Sequence, residues 1–138
     1  MNKYDKAFET LIADGTIHVP AKDAIFDFID AILDNEYDKI FDLYNQCLAV
    51  GEATMVMLSV LYNNARAVLQ VQTCNNKEIG KSTGLTGWQI MNAKKHLHKW
   101  KNDELMHLLE IVQKCESGIK TGKIADDVAM EYVLVNIL

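Results

Sequence analysis

The chain of 138 residues holds a single proline, Pro20, and its apolar residues recur at helical spacing almost throughout. A proline inside a helix removes a hydrogen bond and clashes with the preceding turn, so its rarity leaves long helices unobstructed. Tyr4, Ala7, Phe8, Leu11 and Ile12 form a first stripe, ended by Gly15, and His18-Val19-Pro20 breaks the pattern. A second stripe runs through Ile25, Phe28, Ile29, Ile32 and Leu33, with Asp34-Asn35-Glu36 as a short connection. Ile40, Phe41, Tyr44, Cys47 and Leu48 follow, and Gly51 stands where the glycine beyond a helix end belongs. Residues 52–74 are apolar over more than one face, the profile of a central helix packed on several sides.

Residues 77–83 read as a short helix, and Gly84 allows the left-handed turn after it. Thr86 and Gln89 have the spacing of a capping box, with Leu85 and Ile90 as a hydrophobic staple, so a helix starts at Thr86. Asn102 opens a helix carrying Leu105, Leu108, Leu109, Val112, Cys115 and Ile119, ended by Gly122. Asp126 or Asp127 opens the last, with Val128, Tyr132, Val133, Val135 and Leu138. The expected fold is all-α: a single helical bundle domain of about seven helices, containing a helix-turn-helix-like corner at 77–99. A domain of this length buries about 68–70% of its unfolded surface and needs no disulfide or metal to fold.

The net charge of −5 is unevenly spread. Residues 77–101 carry six lysines against Glu78, a local +5 on a body of −10. A chain that binds duplex DNA mainly by counterion release has the opposite balance. Cys47, Cys74 and Cys115 lie far apart among apolar neighbours and read as reduced core thiols of a cytoplasmic protein. The first ten residues carry charges where a secretion signal needs an apolar run, and no apolar stretch is long enough to span a bilayer.

Gly80-Lys81-Ser82 matches the tail of a phosphate-binding loop, but the glycine that should begin the motif is Asn75, and no strand precedes it. As a DNA reader, the corner would aim its first turns at base edges. Those turns offer Trp88 and Met91, which read as packing residues, and Gln89, which the capping box engages. Lys94, Lys95 and Lys99 remain the candidate contacts to DNA or a partner. His96 and His98 point about 200° apart on a helix and cannot share a metal ion, so solvated or edge histidines are expected. Aspartates 23, 27, 30, 34, 38 and 42 follow the polar sides of two helices, a solvated face. No catalytic set stands out, and no cofactor or metal is expected.

In order, AIFDFIDAILDNEYDKIFDLYNQCL, LYNNARAVLQVQ, KEIGKSTGLTGWQIMNAKKH and SGIKTGKIADDVAMEYVLVNIL resemble the C-terminal domain of the delta subunit of bacterial DNA polymerase III. The more specific pieces are Phe26-Asp27-Phe28-Ile29-Asp30-Ala31-Ile32-Leu33 and Lys120-Thr121-Gly122-Lys123-Ile124, continuing to Ala129 and Glu131. The resemblance implies a helical collar domain over residues 18–138, with residues 1–17 as a linker or the end of a preceding lid domain. It implies assembly with the tau/gamma and delta-prime subunits in the clamp loader that places the sliding clamp on DNA. Sliding-clamp contacts in that family belong to an N-terminal domain without a counterpart in these residues. DNA is then met only through the complex. The alternative reading is a small helix-turn-helix DNA-binding regulator.

Overall fold

In the computed structural model of the protein, which describes residues 21–74, 80 and 83–137, the described residues form a bundle of six α-helices, one of them central. They are α1 (Ala21–Leu33), α2 (Tyr37–Ala49), α3 (Thr54–Thr73), α4 (Gly87–Lys94), α5 (Asn102–Lys120) and α6 (Asp126–Ile137). No strand occurs among the described residues. The all-α expectation holds. The expected stripe at residues 4–12, Leu138 and, apart from Gly80 and Thr83, the expected short helix at 77–83 lie outside the described residues.

The centre is α3, which packs against α1, α4, α5 and α6. Met57, Leu58, Leu61, Ala65 and Val68 are completely buried along it. Such wide coverage follows from its sequence, since an apolar surface broader than one stripe needs neighbours on several sides. Phe28 of α1 stacks on Tyr44 of α2, centroids 5.6 Å apart. Gln113 of α5 donates a hydrogen bond to the Tyr62 hydroxyl of α3 at 3.0 Å.

Helix ends are closed by local chemistry. After α1, Asn35 adopts φ +57°, and the Asn35 and Glu36 amides donate to the carbonyls of Ile32 and Ala31. After α2, Gly51 has φ +79°, and the Gly51 and Glu52 amides donate to Leu48 and Cys47. Both are Schellman turns, where a left-handed residue lets the chain leave while the last carbonyls stay bonded. At the start of α5 the cap is Lys101, one residue before the expected Asn102. The Glu104 carboxylate reaches back to the Lys101 amide at 2.8 Å and leaves Asn102 inside the first turn.

Two expected stripes are only half right. Phe41 and Leu48 are exposed on α2, whereas Ile40, Tyr44 and Cys47 are buried. On α6, Val128, Tyr132 and Val135 point outward, and Ala129, Met130, Val133 and Leu134 hold the core. The cause is common to both helices. Each has an apolar surface wider than the strip its neighbours cover, and spacing alone does not say which part is covered. The cysteines are free, with Cys47 and Cys115 buried and Cys74 half-buried. Burial pushes the Cys47 thiol up to about 11, which keeps it protonated and inert at neutral pH.

Candidate partner-contact surface

The corner around Gly84 is built as its residues dictate. Gly84 takes φ +75°. The Gln89 amide donates to Thr86 Oγ1 at 3.2 Å, and the Thr86 amide donates to Gln89 Oε1 at 2.9 Å. Gln89 is therefore held at the helix start, away from any base edge. Leu85 and Ile90 both pack onto the core. A side chain on Gly80 would meet the Leu85 carbonyl oxygen at 3.3 Å and the Ile90 side chain at 3.7 Å, so the close approach favours glycine there. Lys81 and Ser82 lie outside the described residues.

After α4 the chain is fastened to α1 and α3 by polar contacts that local sequence does not announce. Gln72 of α3 donates to the carbonyls of Leu97 at 2.9 Å and Trp100 at 2.7 Å. Trp100 Nε1 donates to the Leu33 carbonyl at 2.9 Å, and Asn35 Nδ2 donates to the Lys99 carbonyl at 3.1 Å. Asn92 of α4 donates to Asn64 Oδ1 of α3 at 3.2 Å. Directional polar contacts of this kind fix a position more sharply than apolar packing does.

His96 overturns the expectation of a solvated histidine. It is 1% exposed, with Nδ1 at 2.7 Å from Asp34 Oδ1. Nε2 lies 3.5 Å from Asp30 Oδ1, an ion-pair distance without a formed hydrogen bond. Asp30 and Asp34, four apart on α1, thus clasp one imidazole instead of belonging wholly to a solvated face. Burial, the largest single influence, lowers the His96 pKa, but the contacts and charges of Asp30 and Asp34 together outweigh it and raise the value above 6.5. His98 and His107 are exposed.

A raised folded-state pKa has a definite sign. The imidazolium stabilises the fold fully below the unfolded-state value, and its contribution fades as pH rises through the higher folded-state value. His96→Gln is therefore expected to cost most in mildly acidic buffer, with the deficit shrinking on the alkaline side. Urea denaturation of both proteins at about pH 6 and about pH 8.5 checks this, and a deficit independent of pH would contradict it.

The candidate lysines fall on the last turn of α4 (Lys94), its end (Lys95) and the turn that follows (Lys99), and all three are exposed. Trp88 and Met91, expected to pack, are instead 60% and 61% exposed on the same short helix. The reason is length. With eight residues, α4 buries Ala93 and half-buries Ile90 and Asn92, leaving the opposite side bare. A cleft of about 200 Å³ lies beside it, lined by Phe26, Asn63, Asn64, Trp88 and His96 among others. Among the described residues, no group of three or more His, Cys, Asp or Glu could hold a metal ion. Nor is any described helix long and apolar enough to cross a membrane.

A central helix packed against four others, with a capped corner presenting aromatic, methionine and lysine side chains, defines an all-α helical-bundle domain. The chain belongs to the family described as DNA polymerase III delta subunit, C-terminal domain, whose model matches residues 22–137. The fold is also that of the Bacillus subtilis DNA clamp loader delta protein (YqeN), with a TM-score of 0.74 and 17% sequence identity. That superposition covers 90% of this chain and 38% of the other, so the chain spans well under half of the longer protein. No curated protein sequence matches the chain.

Proposed function

We propose that this chain is the assembly module of a clamp-loader delta subunit, acting by protein–protein association and not by catalysis. The observation that carries the proposal is the family match, which runs over nearly all of the described helices. On this reading residues 18–138 form the collar domain, and residues 1–17 are a linker or the end of a preceding lid domain. The partners are the tau/gamma and delta-prime subunits, in the cytoplasm, and DNA and the sliding clamp are reached through the rest of the complex.

Lys94, Lys95 and Lys99 then serve as contacts to a partner or to DNA held by the complex. Their exposure beside Trp88 and Met91 supports this role, because apolar side chains flanked by charge are a common interface composition. The immobilised chain is expected to retain tau/gamma or delta-prime from the same source at micromolar concentration in low salt. Lys94→Glu with Lys95→Glu is expected to weaken that retention about threefold or more, since rim charges tune encounter and salt dependence. Retention of neither subunit would contradict the assembly role.

A further inference from the structure

The segment that follows α4 is held to α1 by an arrangement that one proton controls. His96 is 1% exposed, and two carboxylates of α1 face its opposite ring nitrogens. Asp34 Oδ1 stands 2.7 Å from Nδ1, and Asp30 Oδ1 stands 3.5 Å from Nε2. An ionised carboxylate only accepts hydrogen bonds, whereas a neutral imidazole donates from one nitrogen and accepts at the other. Neither neutral tautomer therefore serves both sides. With the proton on Nδ1, the bond to Asp34 is kept and the Nε2 lone pair faces Asp30. With the proton on Nε2, a lone pair faces Asp34 at the shorter distance. Only the imidazolium offers an N–H to each carboxylate. Nε2 is buried and has no hydrogen-bond partner among the described residues, so nothing else relieves the conflict.

No further charge intervenes. From α3 the polar residues that share a cleft with the ring are Asn63 and Asn64, and from α4 they are Gln89 and Asn92. On its own segment Lys94, Lys95, His98 and Lys99 are exposed to solvent. Among the described groups only the charges of Asp30 and Asp34 act on its titration, and they favour the protonated ring. The other ties of this segment to α1 are the Trp100 indole on the Leu33 carbonyl and the Asn35 amide on the Lys99 carbonyl, both insensitive to pH. α4 itself packs on α3, with Asn92 bonded to Asn64.

We propose that His96, Asp30 and Asp34 form a proton-operated latch. The imidazolium closes residues 95–100 onto α1, and loss of its second proton lets that segment part from α1 while the helical core stays folded. The sign follows from linkage: the closed form binds the extra proton, so rising pH favours the open one. Beyond lowering overall stability, the latch fixes where the fold opens first. The moving segment carries Lys95 and Lys99 and forms one wall of the cleft between Phe26 and Trp88. Its presentation to any partner thus follows the charge of one buried ring. The latch belongs to the domain itself and stands whether or not the assembly reading does.

Amide hydrogen exchange of the full chain tests this, each rate being divided by that of an unstructured peptide so that base catalysis drops out. The His96 amide donates to the Ala93 carbonyl and the Lys99 amide to the His96 carbonyl, both at 3.1 Å, so these two amides report on the segment. Their protection is expected to lie about tenfold or more below that of the buried turns of α3, the mark of a local opening. Between about pH 6 and about pH 8.5 it is expected to fall about threefold or more. His96→Gln should abolish this pH dependence. Asp30→Asn, at a carboxylate 49% exposed, should flatten it as well, because an amide N–H can donate to Nε2 of the neutral ring. Protection at positions 96 and 99 equal to that of α3 would mean that the segment opens only with the whole fold, and would overturn the latch. Protection independent of pH in the unmodified chain would overturn it too, as would a pH dependence that survives either substitution.

Discussion

Phe28→Ala is expected to lower the unfolding free energy by about 3–5 kcal/mol, the usual range for removing a fully buried aromatic ring. Phe28 has no exposed surface, and its ring stacks on Tyr44 at 5.6 Å with an interplanar angle of 27°. Two losses therefore combine. The transfer and cavity cost of the missing ring dominates, and the lost ring pair adds about 0.5–1.5 kcal/mol in the same direction. A domain of this size is stable by about 5–15 kcal/mol in total, so the variant gives up a large share of its stability. Urea denaturation followed by circular dichroism measures the difference directly. A loss below about 1 kcal/mol would mean that α1 and α2 do not share the packed core described above.

Trp100→Ala is expected to cost about 3 kcal/mol, toward the low end for tryptophan truncation because the ring is only half-buried. Its indole N–H closes the Leu33 carbonyl at the end of α1, and its own carbonyl is held by Gln72 of α3. Trp100→Phe separates the contributions. It keeps most of the packing, loses the donor, and should cost about 1 kcal/mol, the net value of one hydrogen bond. If the two variants are equally destabilised, the hydrogen bond and not the ring anchors the corner. Trp88, the second tryptophan, is exposed on α4 and remains as the fluorescence reporter in both variants.

Much of the architecture was readable because several helix boundaries have a local cause. Gly51, Gly84 and the Thr86–Gln89 pair state their roles within four residues, and the structure places them as their chemistry requires. The central helix was readable because its apolar surface is too wide for one neighbour. His96 was not readable, because its partners Asp34 and Asp30 are more than sixty positions away and look like the polar side of α1 until the helices meet. A histidine at a helix end followed closely by a tryptophan is the only local hint. Tyr132, Val128 and Val135 failed for a different reason. A core and an interface share one periodicity, and only the packed structure separates the covered apolar face from the bare one.

Trp88 and Met91 illustrate the same limit at the corner. Their residue types suggest packing within the domain, whereas an eight-residue helix has too little inner surface to bury them. Being apolar, exposed and next to lysines, they fit a contact with another protein better than a reading helix for DNA. Gln89 reinforces this distinction, since the capping box holds the one amide side chain of the first turn. The corner that resembles a DNA-binding motif in outline is in substance a wedge fastened to α1 and α3.

The measurement that bears most directly on the assembly role is reconstitution in solution. The chain should be mixed with tau/gamma and delta-prime at micromolar concentration in low salt, and the mass of each eluting species read by light scattering. The account requires this chain to elute within a species heavier than any single component, and to leave it when salt is raised. Elution of the chain alone from every mixture, with its helix content intact, would contradict a role in clamp-loader assembly.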